Sequence, residues 1–400
     1  MKRFTLSNGL KVILDNRNSN TIVALLTVGV GSNDESEANN GISHFIEHAV
    51  FTGTKKRTAL EISSAIETLG GEINAGTTPE KTFFYVKMLP KHLTVGLDVL
   101  SDIVFNPAFP EKQIETEKRV VAEEIDFVYD DYNFYQWVLF QSKLFKGPQR
   151  LPVYGRKEVV LGLTRLQVLE FYNRFYVPNN TVLTLVGSIP KDAKKLIERY
   201  FSSYKPVPIH RTLFTEPPQE RCIHKVKLPT QSSYIVLGYK IPPRGEPSSL
   251  IFDLVDGVLG KGQSGRVFDE VRNKRGLAYS VGCYHYQGYQ YNFFALYANL
   301  QAKNIPKVSK IFLNELKWLN KLKQKELNEA KAYVEGNFYV SNEENLAWAH
   351  TLTQWELASS SFDCLDYVEK VKRVTLSKFK EVSASYLNDN YTLVAIIPKN

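Results

Sequence analysis

One long internal echo constrains this chain more than any other feature. Tyr176-Val-Pro-Asn-Asn-Thr-Val-Leu-Thr-Leu-Val-Gly-Ser-Ile-Pro190 returns in outline as Tyr386-Leu-Asn-Asp-Asn-Tyr-Thr-Leu-Val-Ala-Ile-Ile-Pro398, with the closing prolines offset by 208 positions. Each copy follows a helical pattern opened by a threonine, Thr164 in the first and Thr375 in the second. A threonine in that place caps the orphan amides of a first turn. Each copy then runs into a β-rich segment that closes a unit. A chain of 400 residues exceeds what one hydrophobic core usually organises. The echo therefore reads as two similar domains: residues 1–205, a proline-rich linker at 206–220, and residues 221–400. Pro206, Pro208, Pro217 and Pro218 crowd the linker, where proline supports neither a helix interior nor a central strand.

The first half mixes its elements. Phe4 to Leu14 is a hairpin around Asn8-Gly9, and Ile22 to Val30 is a buried strand. Gly41 to Val50, Leu60 to Leu69 and Leu93 to Phe105 carry helical spacing, and Glu111 to about Leu144 reads as one long helix. Gly71 to Met88 alternates as strands. Strands and helices without regular βαβ order point to an α+β fold of two similar domains, each a mostly antiparallel sheet flanked by helices.

Composition narrows the classes. Hydrophobic residues at 43% and charged residues at 23% fit a globular chain and exclude disordered and collagen-like ones. The longest apolar run, Ile22 to Val30, is far short of the ~20 residues that span a bilayer. No apolar leader precedes Asn8-Gly9, and Cys222, Cys283 and Cys364 form no C-x-x-C pair. A cytoplasmic, reducing setting is expected. The net charge of +8 is spread out, with its densest lysines on an amphipathic pattern from Lys307 to Lys331. That pattern is a solvated face, and no nucleic-acid partner is expected.

Chemistry concentrates in Gly41-Ile-Ser-His-Phe-Ile-Glu-His48. Positions i, i+3 and i+4 share a helix face, so His44 and His48 point the same way and Glu47 stands beside them. Two imidazoles one turn apart can bind one zinc ion, and Glu47 can take a proton from a metal-bound water. With seven histidines in the chain, chance produces this H-x-x-E-H pattern about once in a hundred such sequences. The long helix offers Glu111, Glu115, Glu117, Glu123 and Glu124 as a third ligand. Glu117 and Glu124 are two turns apart on the face that carries Val121 and Val128. A carboxylate on a buried face needs a partner. Glu124 is the expected ligand, and Glu117 the acceptor that orients a ligand histidine or Glu124 itself. Taken singly, each of these residues reads as an ordinary core histidine or surface acid.

These segments make the chain resemble the pitrilysin and mitochondrial-processing-peptidase family of inverted-motif zinc peptidases, in its short two-domain class. The likeness runs from Gly41 to Thr54, through Glu117-Lys-Arg-Val-Val-Ala-Glu-Glu-Ile125, and across both halves. It implies one Zn2+ per chain on His44, His48 and Glu124, with Glu47 as general base, and it favours Glu124 over Glu123. Gly71 to Tyr85 is similar to the family's substrate-edge strand, with Asn74 and Ala75 at the edge. Gly76 departs from the bulkier residue expected there. Ser264 to Ser280 is similar to the segment that supplies an Arg/Tyr pair. The resemblance assigns Arg272, with Arg275 as its rival, to a substrate carbonyl or C-terminal group, and Tyr279 to the oxyanion. The glycines at 257–265 lack the phosphate-loop pattern. The implied activity is endopeptidase action on extended or unfolded peptides, in a homodimer or in a heterodimer with a motif-less homologue. A non-catalytic assembly or peptide-binding subunit is the alternative.

Overall fold

The sequence echo becomes two sheets that share a five-strand order, the first with one more strand at its edge. The first contains β1 (Lys2–Thr5), β2 (Lys11–Asn16), β3 (Ile22–Val28), β4 (Glu72–Thr77), β5 (Thr82–Met88) and β6 (Thr181–Gly187), in the spatial order β1-β2-β6-β3-β5-β4. The second contains β7 (Cys222–Leu228), β8 (Ser233–Lys240), β9 (Ala278–Gln287), β10 (Asn292–Leu300) and β11 (Thr392–Pro398), in the order β7-β11-β8-β10-β9. The echoed segments are β6 and β11, and each pairs parallel to one neighbour, β2 or β7, and antiparallel to the other, β3 or β8. All remaining pairings are antiparallel. The computed structural model describes residues 1–211 and 214–399. Thr212 and Leu213 of the expected linker lie outside these, and residues 206–211 and 214–220 form neither helix nor strand.

Local chemistry explains the elements. Gly9 takes a left-handed φ of +88° at the β1–β2 turn, where its N–H donates to Leu6 O at 2.9 Å. Thr164 Oγ1 accepts from Gln167 N at 3.2 Å, and Thr375 Oγ1 accepts from Lys378 N at 3.2 Å, so both expected caps form. Helices α1 (Ile42–Ala49), α2 (Ala59–Glu67) and α3 (Leu93–Phe105) lie where the spacing places them.

The long helix expected from Glu111 to Leu144 is instead two: α4 (Glu111–Asp130) and α5 (Tyr132–Leu144). Asp131 turns extended between them and accepts from Asn133 N at 2.8 Å, which opens a new helix. The chain changes unit at this break. One unit comprises residues 1–127, 151–214 and 341–357; the other comprises 128–150, 215–340 and 358–400. Two segments are thus exchanged across the division expected at 206–220.

In the first unit the exchanged helix Asn345–Ala358 covers one face of the sheet. Thr353 and Thr184 share a buried hydroxyl bond of 2.8 Å, and Phe83 meets His350 edge-on with ring centroids 4.6 Å apart. Glu356 is buried and neutralised by Arg3 at 2.7 Å and Lys11 at 3.2 Å, the pairing that a buried charge requires. In the second unit α5 does the equivalent work: Leu139, Phe140 and Leu144 pack with Val236, Phe293 and Val394 of the sheet. A buried Asp253 there joins Arg244 at 2.6 Å and His285 at 3.0 Å. Among the described residues no helix is long and apolar enough to cross a membrane.

Candidate metal centre

Helix α1 is begun from outside itself. Gly41 precedes it at a φ of +99°, where a Cβ would stand 2.7 Å from Val160 Cγ2 and 2.8 Å from Gly155 Cα. A glycine has no side chain to cap the first amides. Glu35 supplies the cap: its Oε2 accepts from Gly41 N at 2.7 Å and Asn40 Nδ2 at 2.8 Å, and its Oε1 from Ser43 N at 2.8 Å. Burial outweighs these bonds and raises the Glu35 carboxyl to about 7.

The helix so anchored presents His44, Glu47 and His48 to the side of α4 that carries Glu117 and Glu124. His44 Nε2 lies 3.6 Å from Glu124 Oε2, and His48 Nε2 lies 3.3 Å from the same oxygen. His48 Nδ1 donates to Glu117 Oε1 at 3.0 Å, which fixes the ring and turns Nε2 toward Glu124. One ligand atom from each of His44, His48 and Glu124 falls within 4.8 Å of the others.

This donor set fits zinc. Tetrahedral zinc with ligand bonds of ~2.0–2.1 Å places its ligand atoms about 3.3 Å apart. The two nitrogen–oxygen separations, 3.3 and 3.6 Å, are already close to that edge. Two imidazoles and one carboxylate leave a fourth position for solvent or substrate, as in catalytic rather than purely structural sites.

Electrostatics divides the histidines. Burial, then the neighbouring His48 charge, lowers His44 to about 4. Burial also acts against the charged form of His48, but its bonds to Glu117 and Glu124 and the charges of Glu47 and Glu124 outweigh it and raise it to about 10. Glu124 is lowered, first by the His48 bond. The Glu47 carboxyl is raised by burial, against the opposing bond from Thr77 and charge of His48. A carboxyl raised above its ordinary value holds a proton more readily than an exposed one.

Thr77 and Tyr154 join the site without having been singled out by sequence. Thr77 Oγ1 donates to Glu47 Oε2 at 2.7 Å, and the Tyr154 ring meets His44 edge-on with centroids 5.1 Å apart. Thr77 stood inside the segment that resembles an edge strand; nothing in the local pattern marks Tyr154 or Glu35. Of the rejected acids, Glu111, Glu115 and Glu123 are exposed.

Strand β4 is the open edge of its sheet, paired to β5 alone. Thr78 N donates to Lys81 O at 2.8 Å in the same register. Alternation along an antiparallel ladder then turns the main-chain groups of Ile73, Ala75 and Thr77 outward. Asn74 Oδ1 accepts from Ala75 N at 2.8 Å, covering that outward amide. Gly76 also has its physical reason. A Cβ there would stand 2.5 Å from the Phe83 ring, which lies across it from the neighbouring strand.

In the second unit Arg272 and Tyr279 lie side by side, guanidinium carbon to ring centroid 5.4 Å. Both line a cavity of about 340 Å³ with Phe268, Cys283 and Tyr297. Tyr279 is 82% exposed. The rival Arg275 is held by Glu270, donating to its main-chain oxygen at 2.6 Å and to its carboxylate.

An inverted His-x-x-Glu-His pair on one helix, closed by a glutamate from a second helix in an α+β unit, defines the class of inverted-motif metallopeptidase scaffolds. Residues 11–144 match the family model described as insulinase (peptidase family M16), and residues 162–334 match the peptidase M16 inactive domain. The chain is 30% identical over its whole length to the uncharacterized zinc protease YmxG of Bacillus subtilis (strain 168), covering 98% of that protein. It is 29% identical, again over its whole length, to the uncharacterized zinc protease SCO5738 of Streptomyces coelicolor, covering 90%. The chain therefore belongs to peptidase family M16, in its short two-domain class. A crystal structure of a protease from Helicobacter pylori shares the fold, with a TM-score of 0.93 at 23% identity over 99% of both chains. A putative M16-like peptidase from Alicyclobacillus acidocaldarius does so with a TM-score of 0.87 at 21% identity, over 100% of this chain and 98% of that one.

Proposed function

We propose that the chain is a zinc-dependent endopeptidase that cleaves peptides or unfolded segments held as an added strand on β4. The convergence of His44 Nε2, His48 Nε2 and Glu124 Oε2 beside Glu47 carries this reading. It is supported by the names of the relatives and by the match of residues 11–144, which contain all four side chains, to the peptidase model. His44, His48 and Glu124 would hold the ion, and Glu117 keeps His48 in its ligating tautomer. Zinc bound there would acidify water and polarise a scissile carbonyl. Glu47 takes the proton of the attacking water and returns it to the leaving amine.

The outward main-chain groups of Ile73, Ala75 and Thr77 hold substrate by backbone pairing, with Asn74 turning from Ala75 N to a substrate main-chain group. Because pairing reads backbone, folded proteins are poor substrates. Arg272 binds a substrate carbonyl or C-terminal group in this reading, and Tyr279 donates to the oxyanion. The working assembly is a homodimer in the cytoplasm, where the three unpaired cysteines suit a reducing setting.

The test is hydrolysis of a mixed peptide library by the wild type and Glu47→Gln, with metal content measured on both. The variant should keep zinc and lose cleavage. Equal activity would remove Glu47 from the mechanism. Bound zinc with no cleavage by the wild type would leave the alternative, a non-catalytic peptide-binding or assembly subunit.

A further inference from the structure

Glu47 has one hydrogen-bond partner among the described residues, and it comes from the edge strand. Thr77 Oγ1 donates to Glu47 Oε2 at 2.7 Å, and Oε1 has no such partner. A carboxylate on a flexible side chain samples several rotamers unless something holds it. A single O–H on one oxygen fixes the orientation and leaves the other oxygen with its lone pairs open.

Thr77 is itself held firmly. It pairs with Thr82 across the ladder, and Thr82 Oγ1 donates to Val30 O at 2.9 Å. The adjoining turn is closed by Thr78 N to Lys81 O at 2.8 Å and by Thr78 Oγ1 to the same oxygen at 3.0 Å. Asn33 N donates to Pro79 O at 2.8 Å, and a Cβ on Gly31 would stand 2.1 Å from Thr78 O, so the turn lies directly against the 31–33 segment. From the exchanged helix, Gln354 Oε1 accepts from the buried Lys81 Nζ at 2.6 Å. While its hydroxyl faces Glu47, the main chain of Thr77 faces the open edge.

We infer that Thr77 is a positioning residue that holds Glu47 in its proton-accepting orientation and ties that orientation to the strand edge on which substrate pairs. The inference deepens the peptidase reading and rests on it. Substrate added along Ile73, Ala75 and Thr77 then meets a base already aimed. Loss of the hydroxyl leaves the edge and the metal ligands in place and frees only the base.

The test compares Thr77→Val, which keeps the shape and removes the donor, with Thr77→Ser, which keeps the donor. Zinc content, KM and kcat are measured on an unstructured peptide, and crystal structures are solved for the zinc-loaded wild type and both variants. The expected result is unchanged zinc and KM, with kcat lowered roughly 10- to 100-fold in Thr77→Val and restored to within a few-fold in Thr77→Ser. The structures should show Glu47 in one rotamer in the wild type and Thr77→Ser, and in several in Thr77→Val. Wild-type kcat in Thr77→Val, or an equal loss in both variants, overturns the inference. If the wild type cleaves nothing, the peptidase reading fails by itself. The order of Glu47 in Thr77→Val still decides whether Thr77 positions it, and a single unchanged rotamer there overturns the inference.

Discussion

Glu35 makes the stability of the metal-site helix depend on pH in a direction that can be worked out. It is 5% exposed and accepts three donors at the start of α1. Burial raises it from 4.5 to about 7, so the fold favours its neutral form by roughly 3 kcal/mol. The sign follows from comparing the two states. Below 4.5 the side chain is neutral whether folded or unfolded; between 4.5 and about 7 only the unfolded chain ionises. The associated stability is therefore complete below the unfolded value and is lost as pH rises through the folded one. Glu35→Gln cannot ionise. Its amide also turns an N–H toward a donor of α1, a constant cost of about 1–3 kcal/mol. The assay is native-state hydrogen exchange of the α1 amides in metal-chelated wild type and variant. Taking the difference cancels the histidines common to both. From about pH 4 to pH 8 the wild type should lose roughly 3 kcal/mol relative to Glu35→Gln. Parallel profiles would refute the reasoning, because they would mean that the three donors hold the charge as well as water does.

Two further substitutions read other contacts. Glu117→Gln weakens the acceptor that orients His48 and should lower zinc affinity about 10- to 100-fold in chelator competition; unchanged affinity would show that the ring is held by something else. Burial alone would raise Asp253, but the Arg244 charge and the bonds from His285 and Arg244 hold it well below the usual carboxylate range. Its stabilisation is present above the ordinary carboxylate value and lost as acid carries the pH down through the folded one. Asp253→Asn should cost the second unit about 3–5 kcal/mol at neutral pH, read by urea unfolding, and a loss below 1 kcal/mol would contradict this.

What the sequence reveals about the site follows helical arithmetic. His44, Glu47 and His48 share a face because of their spacing, and the seven-residue interval from Glu117 to Glu124 puts both carboxylates on the side of α4 that meets them. The paired topology was legible too, because β6 and β11 carry the same apolar run after the same threonine-capped helix. Contacts that depend on distant chain segments were not. Glu35 looks like one acid in a polar loop until Gly41 leaves α1 without a cap. Thr77 is an ordinary strand residue until Glu47 is placed opposite it. The apolar spacing runs on through Asp131, so nothing in periodicity announces that α4 ends there and that α5 packs in the other unit. The exchanged helix Asn345–Ala358 falls within the 221–400 span expected to form the second domain, yet its partners, from Asp15 to Thr184, lie in the first unit.

The central claim is that His44, His48 and Glu124 hold a single zinc ion. X-ray absorption at the zinc edge, on protein loaded to saturation and washed, tests it most directly. The expected result is one zinc per chain with two imidazole nitrogens and light oxygen ligands at about 2.0–2.1 Å, and either loss of the zinc or one imidazole fewer in His44→Ala and in His48→Ala. Sulfur ligation, or a spectrum and stoichiometry that survive both substitutions, would contradict the account.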